Sequence, residues 1–164
     1  MLNANCIDPW TFSQDKQTAV WQFVLNDLDP RVMEDGIFAN SQNIVQAAFL
    51  GGINALGQHF IDVHLTATLQ LVCQRCLKTM NFALDNTVKT LIFTDETQAN
   101  QADCTVEDAD VLVVVGNSIC VAEWVEDQLL TALPFSPMHA QCDTAVVLDN
   151  QTVNPFSVLK GLHK

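Results

Sequence analysis

The chain has 164 residues, 49% of them hydrophobic and 16% charged, with a mean hydropathy of +0.18; that balance excludes an intrinsically disordered chain and suffices for about one domain with its own core. The 19 acidic residues against 7 basic ones leave a formal net charge of −12, which excludes binding of a phosphate backbone by charge alone over half of the surface, because sequence-independent affinity comes from cations that displace condensed counterions. No apolar run approaches the ~18 residues of a membrane span, and Met1 to Trp10 carries neither a basic nor an apolar signal region, so a cytoplasmic protein is expected, with its six cysteines as thiols or metal ligands.

In chain order, Trp21, Phe23 and Leu25 alternate as in a strand that stops at Asp27-Leu28-Asp29-Pro30. Asp29 before Pro30 pairs a cap with a first-turn proline and predicts one short helical turn over Pro30 to Asp35, ended by Gly36. Asn43 to Leu50 reads as an apolar strand, with Gly51-Gly52 and Asn54 to Gly57 as the turn that follows. Phe60 to Val72 alternates most clearly: Ile61, Val63, Leu65, Ala67, Leu69 and Leu71 face one way, Asp62, His64, Thr66, Thr68 and Gln70 the other. A second strand carrying Phe82, Leu84, Val88 and Ile92 follows the Cys73 to Lys78 corner and completes a hairpin. Thr94 to Asp110 is polar and acidic and predicts a long surface loop or insertion, and Val111 to Val115 a short buried strand.

Ser118 can cap a helix from Ile119 to Leu133, with Val121, Ala122, Val125, Leu129 and Leu130 on its apolar stripe and Pro134 as its stop. Asn154-Pro155 repeats the cap-and-proline signature ahead of Phe156, Leu159 and Leu162, which predicts a short C-terminal helix. The expected architecture is a single α+β domain over residues 1–164: a curved, barrel-like antiparallel sheet with one main helix packed on it and the short C-terminal helix alongside.

The charge is unevenly placed. Between Lys89 and Lys160 lie eleven acidic residues and no lysine or arginine. That half of the molecule is either a solvated acidic face that keeps a hydrophobic protein soluble or a docking surface for a basic partner, with Glu123, Glu126 and Asp127, on or beside the helix face opposite the apolar stripe, as its candidate residues.

The sharpest chemical feature is Cys73-Gln74-Arg75-Cys76, a turn between two strands that can aim two sulfurs at one ion. His139-Ala140-Gln141-Cys142 offers a second ligand pair and would complete a Cys3His zinc site tying the hairpin corner to the segment leaving the helix. Unligated thiols are the alternative, and a catalytic dithiol is disfavoured because strands flank the turn where such enzymes place a helix N-terminus. Cys6, Cys104 and Cys120 have no companion at ligand spacing. There is no Gly-x-Ser-x-Gly, no phosphate-cradling glycine loop and no His-Glu-x-x-His. Asp143-Thr144-Ala145 reads as a turn aspartate, and His59 and His64 as ordinary hydrogen-bonded histidines beside the polar side of a strand. Arg75 and Lys78, with Lys89, are the only basic cluster and the place for any RNA contact.

Three separated pieces resemble the YceD family, also described as large ribosomal RNA subunit accumulation proteins: Leu71-Val72-Cys73-Gln74-Arg75-Cys76-Leu77, then Val125 to Pro134 with Pro137 and His139, then Asn154-Pro155-Phe156-Ser157-Val158-Leu159. The likeness runs over nearly the whole chain and is weakest before about Asn43. It implies a cytoplasmic bacterial protein that supports synthesis, processing or stability of large-subunit (23S) ribosomal RNA without a known reaction. Cys73, Cys76 and Cys142 fall where similar proteins carry cysteines, Gln128 stands where an acid is common, and the gap from His139 to Cys142 is short. The leading reading is a non-enzymatic factor, and the acidity points to its acting chiefly by binding a basic protein, such as a ribosomal protein or a processing enzyme. The rival from another class is a thiol-redox or metal-dependent enzyme built on Cys73 and Cys76.

Overall fold

The computed structural model describes residues 6–34, 36–101 and 109–142. Its main sheet has the spatial order β2-β3-β4-β5-β6, built from Thr18–Val24 (β2), Ile44–Ile53 (β3), His59–Val72 (β4), Thr79–Phe93 (β5) and Ala109–Val113 (β6). Two further strands, Cys6–Ile7 (β1) and Ile119–Cys120 (β7), form a separate antiparallel pair. The helices are Pro9–Gln14 (α1), Glu96–Gln101 (α2) and Val121–Ala132 (α3). None of them is long and apolar enough to cross a membrane.

Alternation in the sequence sets the two faces. Across the inner face Trp21 pairs with Ala47, Ala47 with Leu65, and Phe49 with Val63. Phe49 stands edge-on to Trp21, with ring centroids 5.1 Å apart, and edge-on to Trp124 of α3 at 5.5 Å. Helix α3 thus seats its stripe, Val121, Trp124, Val125 and Leu129, on the apolar side of the sheet, where full burial of each such side chain stabilises by about 1.5–3 kcal/mol. The other face is wet and carries Asp62, His64, Asp85 and Lys89.

The expected β4–β5 hairpin is present, and Asp29 caps the turn Pro30–Met33 as its spacing predicts. Five expectations need correction. The short strand expected to be buried at Val111 to Val115 runs from Ala109 to Val113 at the sheet edge, with Val111 and Val115 exposed. The sheet is not wholly antiparallel: β6 runs parallel to β5, a pairing that needs a long crossover, and α2 lies within the stretch expected as a surface loop or insertion. The described strands do not close into a barrel, since β2 and β6 are its two edges. Gly51 and Gly52 are strand residues, and the turn is Asn54 to Gln58, held by the Asn54 side chain. A Cβ at Gly51 would lie 2.4 Å from the Phe12 carbonyl oxygen, so glycine is there to let α1 cross the strand. Finally, Ser118 caps nothing: Ile119 and Cys120 extend to pair with β1, and α3 starts at Val121. The expected C-terminal helix, Asp143-Thr144-Ala145 and Cys104 lie outside the described residues.

Candidate metal centre

The corner between β4 and β5 is closed by its own backbone. The Cys73 N–H donates to the Lys78 carbonyl at 2.9 Å, the Leu77 N–H donates to the Cys73 carbonyl at 2.8 Å, and Leu77 takes a left-handed φ of +59°. So tight a turn holds Cys73 and Cys76 on a common side. The segment leaving α3 is fastened to it by the Gln74 N–H, which donates to the Pro137 carbonyl at 2.8 Å, and by the His139 N–H, which points at Cys73 Sγ from 3.4 Å.

These contacts bring one ligand atom from each of Cys73, Cys76, His139 and Cys142 within 4.8 Å of one another. Cys73 Sγ lies 3.7 Å from Cys142 Sγ, and His139 Nδ1 lies 3.4 Å from Cys76 Sγ and 3.9 Å from Cys142 Sγ. Tetrahedral zinc, with Zn–S of about 2.3 Å and Zn–N of about 2.0 Å, sets ligand atoms about 3.5–3.8 Å apart. The Cys73–Cys142, Cys76–His139 and Cys142–His139 separations are close to those of that cage. Three sulfurs and an imidazole are soft to borderline donors that suit zinc and not the oxygen-seeking calcium or magnesium, and four protein ligands leave no open position for a substrate. The short gap from His139 to Cys142 is thus compatible with four ligands.

The electrostatics favour a thiolate at the most enclosed sulfur. Burial pushes the Cys73 thiol up, but N–H groups of Cys76, His139 and Arg75 and the His139 side chain outweigh it and hold it down at about 5. Burial and hydrogen bonding to Cys73 and Cys76 push Cys142 the other way. Cys73 itself is 0% exposed, a poor position for a thiol that must meet an external disulfide.

The remaining site residues separate. Arg75 and Lys78 are exposed at the metal corner, with Arg75 Nη2 3.8 Å from Met138 Sδ. Lys89 does not join them: it lies along β5, 4.0 Å from Asp62 and over the Phe60 ring. Of the acidic trio, Glu123 and Asp127 are exposed, whereas Glu126 is buried, accepting from the Asp29 N–H at 2.9 Å and from Arg31 Nη2 at 3.0 Å. Arg31 also pairs with Asp127 at 2.9 Å. Nothing in the sequence pattern links Arg31 to a helix nearly a hundred residues away, so this bridge is visible only in the fold. Gln128 has a similar explanation: it reaches Asp110 at 3.5 Å, where a carboxylate in its place would face another. His59 and His64 are bonded to Ser13 and Asp85, at 2.7 and 2.8 Å.

The molecule is therefore an α+β protein whose sheet corner gathers three cysteines and a histidine that could hold a metal ion. Residues 61–163 match the family described as large ribosomal RNA subunit accumulation protein YceD, a stretch that includes all four ligands and more than half of the sequence. The chain belongs to that family. No curated protein and no solved structure matches it.

Proposed function

We propose that this protein is a non-enzymatic, cytoplasmic factor in the accumulation of large-subunit (23S) ribosomal RNA, that it is organised as one domain around a structural zinc ion, and that it acts by binding a basic protein. Cys73, Cys76, His139 and Cys142 would hold the ion, which would supply a cross-link between the β4–β5 corner and the segment after α3.

The observation that carries the partner reading is the recess lined by Asp29, Arg31, Glu123, Glu126 and Asp127. Four carboxylates surround one guanidinium there, and that cation is already shared between Glu126 and Asp127. A surface of this composition attracts lysine and arginine side chains and repels phosphates. Glu123 and Asp127 are the exposed members that a partner can reach, Asp127 while paired with Arg31, with Glu126 holding the recess in shape. RNA contact on this reading is local to Arg75 and Lys78.

The test is a comparison of binding to purified basic ribosomal proteins and to protein-free 23S RNA across a salt series. The expected result is saturable binding to one or a few of the proteins, weakened about tenfold or more by the double change Glu123→Gln with Asp127→Asn, and little binding to the RNA. Tight binding of bare RNA, falling steeply with salt and indifferent to that double change, would refute the adaptor reading.

A further inference from the structure

Strands β1 and β7 are two residues long, and their register sets Cys6 directly opposite Cys120. Directly opposed residues in an antiparallel ladder have Cα atoms about 4.5–5.5 Å apart, within the roughly 4.4–6.8 Å that a disulfide spans. Both thiols are free; Cys6 is exposed and Cys120 half-buried. Neither belongs to the metal cluster. Cys120 is also the N-cap residue of α3, and its side chain makes no capping hydrogen bond, so its sulfur can turn towards β1 at no expense to the helix end.

We propose that Cys6 and Cys120 are a peroxide-responsive pair that closes into a reversible cross-strand disulfide. The exposed Cys6 thiolate attacks a hydroperoxide: an S–O bond forms, the O–O bond breaks and hydroxide (or alkoxide) leaves, taking up a proton. The Cys120 thiolate then attacks the Cys6 sulfenic acid, forming the S–S bond and expelling hydroxide, which leaves as water. With hydrogen peroxide, two thiols and one peroxide give one disulfide and two waters, and a dithiol reductant restores the pair.

The bridge would fasten the N-terminal strand to the start of α3. Because β1 runs into α1, whose Phe12 packs on Gly51 of β3, the bond would tie the start of α3 covalently to the N-terminal strand and helix, where the backbone link is a two-residue ladder. Closing so long a covalent loop restricts the unfolded chain most of all.

The experiment treats the full-length, zinc-loaded protein with equimolar hydrogen peroxide, blocks remaining thiols, and digests with trypsin and a glutamate-specific protease, which isolates Cys120 between Glu107 and Glu123. The expected products are a peptide pair joined through Cys6 and Cys120 that dithiothreitol separates, undiminished zinc content, and a thermal midpoint several degrees higher than in the reduced protein. Cys6→Ser and Cys120→Ser should each abolish the linked peptide and the rise while leaving the reduced midpoint within about 2 °C of the parent. Peroxide that instead links Cys104 or a second chain, strips the zinc first, or leaves Cys6 and Cys120 unlinked overturns the proposal.

Discussion

Glu123 and Glu126 are three residues apart on one helix, yet they have different fates. Glu126 satisfies a backbone N–H and a guanidinium in a buried setting, so Glu126→Ala should lower unfolding stability by about 2 kcal/mol in urea titration, because the Asp29 N–H loses its partner. Glu123→Gln should change stability by less than about 0.5 kcal/mol. Helical periodicity puts both acids off the apolar stripe; only the fold supplies the distant Arg31 that draws one of them inward. Two aspartates give pH effects of opposite sign. Hydrogen bonding from the Thr11 side chain, with the Trp10 and Thr11 N–H groups, holds the Asp8 carboxyl below its ordinary value, so its contribution is present above the unfolded pKa and lost as pH falls through the lower, folded one. Burial pushes Asp62 up despite Lys89; its ionisation disfavours the fold, so Asp62→Asn should raise the thermal midpoint at pH 7, and the gain should vanish below the carboxylate range.

At the scale of elements, the clearest strands were legible because period-two alternation is a local property: the inner face of β4 is the set from Ile61 to Leu71 that the sequence displays. Elements that depend on a distant neighbour were not. Gly51-Gly52 reads as a turn until Phe12 is known to press on it; Gly51→Ala should cost about 1–3 kcal/mol through overpacking, measured by denaturant unfolding. The parallel β5–β6 pairing and the displaced start of α3 were hidden because each is set by strand pairing that no local pattern encodes, the second by β1, more than a hundred residues away. The candidate metal site was legible in residue type and spacing, whereas its geometry needed the Gln74 to Pro137 and His139 to Cys73 contacts that bring the two ligand pairs together.

For the whole molecule, a metal ion held by the candidate centre would tie together pieces separated by more than sixty residues, one at the sheet corner and one beyond α3. Zinc present at a thousandfold excess over its dissociation constant would stabilise the fold by about 4 kcal/mol, so strong chelation should lower the thermal midpoint by on the order of 10 °C. Acid should act in the same direction. The Cys73 thiol is held at about 5, below its unfolded value, so the thiolate survives at pH 7 and its contribution is lost as pH falls through about 5, taking metal affinity with it. The most direct measurement is native mass spectrometry of the purified full-length protein at pH 7 with micromolar free zinc. The account predicts one zinc ion per chain, absent from Cys73→Ser and Cys142→Ser; an intact parent chain with reduced thiols that carries no metal, or a zinc ion that persists in both variants, would contradict it.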